Sequence, residues 1–161
     1  MTNVRDSHNY IASEILGHDL KKEMNMTAKT VYSGTTHNVS GPNGFARSAD
    51  GLLDIQVPEP HPIAENLFGA AWSGCFMGAL GLAAAQRKVT LPEHPSVDTT
   101  IDLQMEGGEF FLRAKLDVTI PGIDPALGRE LVATAHKICP YSKAVEGNIE
   151  VEVKLVEPAF A

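Results

Sequence analysis

The amino-acid sequence predicts an α+β fold. Three features carry that prediction. Stretches of alternating apolar and polar residues bounded by glycine and proline turns occur on both sides of one long uncharged segment. That segment, Leu67 to Ala85, is too long for a strand. A second helical periodicity follows Asp124-Pro125, and a last alternating stretch closes the chain. The 161 residues suit one domain, since ~100–200 residues per domain is usual.

Residues 1–28 carry a weak amphipathic pattern in Tyr10, Ile11, Ile15, Leu16 and Leu20 and are read as an N-terminal arm or short helix. The domain proper is read as 29–161. KTVYSGTTHNV alternates β-branched and polar residues, as a strand does, and SGPNG is a turn cluster. FARSADGLLDIQV holds two short strands around Asp50-Gly51, a strong hairpin signal. Pro58, Pro60 and Pro62 then enforce a loop.

Glu65 to Arg87 reads as the central helix, buried on every side. Each of Gly69, Gly74, Gly78 and Gly81 costs ~1 kcal/mol against Ala in a helix interior, which implies close packing against that backbone. Ser96–Glu106 and Glu109–Ile120 both alternate across Gly107-Gly108, predicting an antiparallel hairpin with one buried face. Asp124 is placed to cap a helix with Pro125 at its first position, and Leu127, Leu131, Ala135 and Ile138 continue it until Pro140 stops it. NIEVEVKLV is the last strand.

Composition narrows the function. With 43% hydrophobic and 20% charged residues the chain is neither disordered nor unusual for a globular domain. A net charge of -7 argues against nucleic acid and against electrostatic docking on an anionic membrane. The uncharged segment reaches the lower edge of a membrane span, but Gly and Ala dominate it and it contains no Ile or Val, so no membrane association is expected. The polar N-terminus lacks the apolar core of a secretory signal, which makes a reducing, cytoplasmic location the expectation.

The two cysteines, Cys75 and Cys139, make neither a disulfide scaffold nor an all-cysteine zinc site. Each, taken alone, reads as a buried core thiol. Two contexts point further. Ser73 and Gly74 leave room beside Cys75, and His136 with Cys139 forms an H-x-x-C pair, too few ligands for a metal.

SGCFMGALGLAA around Cys75 and AHKICPYSKAVEGNIEV around Cys139 resemble the organic hydroperoxide resistance (Ohr) proteins, thiol peroxidases of the OsmC-like superfamily. The resemblance runs from about Val31 to Val156. It implies antiparallel sheets wrapped around two long central helices in an intertwined homodimer. It matches Cys75 to the peroxidatic cysteine, Cys139 to the resolving cysteine, and Glu65, in AENLF where the family usually has P-E-Q-L-F, to the family glutamate. The implied activity is reduction of organic hydroperoxides to alcohols through a Cys75 sulfenic acid and a Cys75–Cys139 disulfide. No cofactor is bound; a lipoyl group on a partner protein is the external reductant.

The chain departs from that pattern in the glycine-rich turn. SGPNG stands where the family usually reads G-G-R-D-G, so Pro42 occupies the place of the catalytic arginine. This bears on the chemistry, because an ordinary thiol with a pKa of ~8.5 is only a few per cent ionised at pH 7 and burial raises it further. A carboxylate repels a thiolate, so Glu65 would act by holding a cation; alone, it merely favours a helix N-terminus. Arg47, on the same hairpin, is the nearest replacement in sequence, and a partner subunit is another source. Two alternatives stand beside the peroxidase: a non-catalytic OsmC-like protein binding an apolar ligand, and a thiol–disulfide oxidoreductase.

Overall fold

The computed structural model describes residues 28–58, 63–91 and 94–156. The expected N-terminal arm therefore lies, but for residue 28, outside the described residues. The chain divides into two compact units, one carrying the first three strands and the other carrying Ser40–Gly44 and everything from Val57 onward.

The first unit is an antiparallel sheet of β1 (Thr36–Val39), β2 (Phe45–Ser48) and β3 (Asp54–Gln56), in that order. Asp50-Gly51 makes the expected hairpin: Gly51 takes φ +76°, and Asp50 accepts the Leu52 N–H at 3.1 Å and the Ser48 hydroxyl. The alternating stretch before β1 predicts a longer strand than forms; pairing begins only at Thr36, opposite Ser48.

The second unit packs helices on a sheet ordered β4 (Ser96–Glu106), β5 (Glu109–Thr119), β6 (Glu150–Val156). Strands β4 and β5 form the predicted hairpin, in register from Ser96↔Thr119 to Glu106↔Glu109. Strand β6 runs parallel to β5, which requires a crossover. That crossover consists of α2 (Pro125–Ile138) and α3 (Pro140–Val145). Alternation on β5 buries Ala114, Leu116 and Val118, with Ile120 just beyond. The pairing with β6 starts at Arg113, so the hairpin end beyond it stays open and Phe110 is 70% exposed.

Helix α1 (Ile63–Gln86) is the 24-residue centrepiece. It buries Trp72, Phe76, Ala79, Leu80, Ala83 and Ala84 against the sheet and α2. It is not buried on every side, as its composition suggests: Ala70, Gly74, Gly78, Gly81 and Leu82 lie exposed on the other face, and beyond the adjacent backbone of the helix itself no described atom lies within 4 Å of a Cβ built on any of those three glycines. Gly69 alone of the four helix glycines meets a neighbour in its own chain, the Thr99 carbonyl, 3.3 Å from such a Cβ. Length and composition alone would let α1 cross a membrane, a test that core helices also pass.

Asp124 caps α2, accepting the N–H groups of Ala126 and Leu127 at 3.1 and 2.9 Å, with Pro125 at the first turn. Pro140 does not simply end the helical stretch. It ends α2 and opens α3, because proline cannot continue one helix yet is preset for the first position of the next. The described chain supplies one long helix; α2, with 14 residues, is the next.

Candidate active site

Cys75 sits in the middle of α1, one turn after Trp72, and is half-buried. Cys139 is the single residue between α2 and α3. Its backbone is extended (φ -61°, ψ 120°), its N–H donates to the Ala135 carbonyl at 2.9 Å, and its side chain is fully buried. The two sulfurs lie 3.5 Å apart across 64 positions of sequence, and both are free thiols. The pair is asymmetric: Cys75 is partly exposed to solvent, and Cys139 is enclosed.

Burial pushes the Cys75 thiol above its ordinary range. The backbone N–H of Tyr141, in the first turn of α3, opposes that shift by hydrogen bonding to the sulfur, while the Cys139 sulfur adds to it. Among the described residues no guanidinium or ammonium contributes. The α2–α3 joint thus brings Cys75 both a second sulfur and a backbone donor.

Glu65 stands in the first turn of the same unbroken helix, partly buried. At ~1.5 Å per residue it lies about 15 Å along the axis from Cys75, beyond direct contact. It makes no hydrogen bond or ion pair among the described residues. Pro42 occupies a turn closed by the Gly44 N–H on the Gly41 carbonyl at 2.9 Å and brings no charge. Arg47 is engaged within its own sheet: its Nε donates to Asp54 Oδ1 at 2.9 Å, and its guanidinium lies 4.2 Å over the Phe45 ring.

His136 does not join the sulfurs. It is half-buried with Nδ1 enclosed and unpartnered, and burial lowers its pKa, partly offset by Glu146. Among the described residues no three His, Cys, Asp or Glu side chains gather as metal ligands.

Two residues outside the predicted catalytic set complete the site. Ser142 accepts the Trp72 indole N–H at 3.1 Å, both side chains being buried. Tyr141 contributes through its backbone. A proline directly after Cys139 signals a change of chain direction there, and only the fold reveals what the new direction meets.

The family model for OsmC-like proteins matches residues 58–154. The organic hydroperoxide resistance protein of Xanthomonas axonopodis pv. citri is 35% identical over 136 residues, covering 79% of this chain and 96% of that one. An organic hydroperoxide resistance protein of Elizabethkingia anophelis, solved with thiocyanate bound, superposes with a TM-score of 0.73 at 33% identity, over 81% of this chain and 99% of that one. For the organic hydroperoxide resistance protein OhrB of Bacillus subtilis the TM-score is 0.71 at 28% identity, over 79% and 100%. This α+β chain, with its paired thiols between α1 and the α2–α3 joint, belongs to the organic hydroperoxide resistance family of OsmC-like proteins.

Proposed function

We propose that the chain is a two-cysteine peroxidase that reduces organic hydroperoxides to alcohols. The observation that carries this reading is the 3.5 Å separation of an accessible Cys75 sulfur and a buried Cys139 sulfur. The Cys75 thiolate attacks the outer oxygen of the hydroperoxide. The O–O bond breaks, the alkoxide takes a proton and leaves as the alcohol, and Cys75 becomes a sulfenic acid. The Cys139 thiolate then attacks the Cys75 sulfur, the S–O bond breaks, and water leaves as the disulfide forms. A lipoyl dithiol on a partner protein restores both thiols by exchange and is itself oxidised to the cyclic disulfide.

Cys75 is the attacking sulfur because it is the one substrate can reach. Glu65 acts, on this reading, by holding a cation near the site and not by touching sulfur. Phe68 and Met77, partly buried on the same helix as Cys75, offer apolar surface that favours organic peroxides over hydrogen peroxide. The reducing cytoplasm is the compartment in which both thiols persist.

The functional unit is a homodimer. The exposed small-residue face of α1 and the open β4–β5 end, with Leu103, Met105, Phe110 and Phe111 uncovered, support a second copy packed along that helix.

The test is single turnover with an alkyl hydroperoxide. The parent should consume one equivalent and form an intramolecular disulfide, whereas Cys75→Ser should lose at least ~100-fold in rate, since the hydroxyl that replaces the thiol does not ionise at neutral pH. A Cys75→Ser variant as fast as the parent overturns the reading. Rapid recovery with dihydrolipoamide and not with glutathione tests recycling; fast exchange with protein disulfides and no reaction with peroxide would point to the oxidoreductase instead.

A further inference from the structure

Ser142 is the one buried polar side chain among the described residues. Its hydroxyl accepts the indole N–H of Trp72, which is itself fully enclosed. The bond joins positions 70 residues apart. Trp72 lies three residues before Cys75 on α1, and Ser142 lies three residues after Cys139 on α3. The hydrogen bond therefore spans the same gap as the two sulfurs, one helical turn away on each side.

The joint bearing Cys139 has few other polar restraints. Cys139 opens α3 without a side-chain cap, and α3 has only six residues. A helix that short does not hold itself, since isolated helices below ~12–15 residues are marginal. Its attachment comes from buried Val145, from the Tyr141 N–H on the Cys75 sulfur, and from the Ser142–Trp72 bond, the side-chain hydrogen bond that ties α3 to α1. Disulfide closure must bring the sulfurs from 3.5 Å to ~2.05 Å, with the two Cβ–S bonds near a right angle. A small drift of α3 changes both requirements.

We propose that the Trp72–Ser142 hydrogen bond is the positioning device that sets the reach of Cys139 toward Cys75, so that these two residues govern disulfide closure more than peroxide cleavage. The inference rests on the peroxidase reading and extends it to the second chemical step. In that step the Cys139 thiolate attacks the Cys75 sulfenic sulfur, the S–S bond forms, the S–O bond breaks, and the departing hydroxide takes a proton to leave as water. Neither Trp72 nor Ser142 touches the reacting atoms; both act through the backbone that carries them.

The test uses the full chain with Ser142→Ala, Trp72→Phe and the double substitution. One equivalent of cumene hydroperoxide is mixed in stopped flow, and sulfenic acid is trapped with dimedone and weighed by mass spectrometry. Each single variant should slow closure relative to Cys75 oxidation roughly fivefold to tenfold, the value of one buried hydrogen bond, with a matching rise in trapped sulfenic acid. The double variant should be no slower than the slower single variant. An unchanged ratio of the two rates, with only thermal stability lowered, overturns the proposal and leaves the bond a packing feature. If the parent forms no sulfenic acid, the peroxidase reading fails. Closure is then driven with diamide, which takes the two electrons and two protons of the dithiol. The same slowing in that assay upholds the clamp, and its absence overturns it.

Discussion

The Cys75 sulfur lies 3.5 Å from that of Cys139, too far for a bond and near enough that the approach of one side chain completes it. The exposure of the two differs, and on the proposed peroxidase reading that difference sets an order: the outer thiol would meet the oxidant and the inner one would resolve it. Cys139→Ser should therefore keep the first turnover with an alkyl hydroperoxide at close to the parent rate but stop the second. Mass spectrometry should find a Cys75 sulfenic acid, trappable by dimedone, where the parent shows a disulfide.

The pH dependence follows from the raised Cys75 pKa. Burial dominates, the Tyr141 N–H opposes it, and Cys139 reinforces it. The rate of peroxide cleavage should rise with pH through and beyond the usual thiol value of ~8.5, falling about tenfold for each unit below it. Stability moves the other way. Because the folded thiol titrates above the unfolded one, its contribution is whole below the unfolded value and is lost as pH rises through the folded one. Alkaline melts should show this loss in the parent and a smaller loss in Cys75→Ser.

Pro42 offers a direct test of the missing cation. It sits in a turn closed by Gly44 on Gly41, and the first central position of such a turn accepts most residues. Pro42→Arg should fold. A guanidinium brought beside the thiol should move the inflection of the rate–pH profile down by about 1–3 units. Stopped-flow rates between pH 5 and 10 measure it, and an unmoved inflection would show that position 42 does not serve Cys75. Arg47→Ala should leave the profile where it is, since that guanidinium is occupied by Asp54.

Gly78 tests the second copy. Apart from its chain neighbours and the adjacent backbone of its own helix, no described atom lies within 4 Å of a Cβ built there. In a monomer, Gly78→Ala should stabilise α1 by ~1 kcal/mol through helix propensity alone. Against a closely packed partner helix the added methyl should instead destabilise, and Gly78→Leu should weaken association at least ~10-fold. Sedimentation equilibrium and melts over a range of protein concentrations distinguish these outcomes; a parent that is monomeric throughout removes the dimer from the proposed function.

Much of the fold was legible in the sequence, and for local reasons. The β4–β5 hairpin followed from alternation on either side of Gly107-Gly108, and α2 from Asp124 and Pro125. Pro140 was legible only as a break. That α3 starts there depends on buried attachments of Ser142 and Val145, which no local pattern announces. The uncharged stretch of α1 correctly predicted a helix but suggested complete burial. Ala, Gly and Leu are equally compatible with a core and with a face awaiting a partner, and the sequence has no means of separating the two.

The sequence by itself determined the order of the strands and the two longer helices, the two thiols worth attention, and the absence of an arginine at position 42. These depend on backbone sterics, side-chain periodicity and residue identity, all of which act over a few neighbours. Only the tertiary structure decided that Cys75 and Cys139 meet, that Tyr141 turns its N–H toward the outer sulfur, and that Trp72 reaches Ser142. Each is a contact across more than 60 residues, fixed by how α1 packs against the helices of the crossover, and packing is a property of the whole core that no single segment encodes.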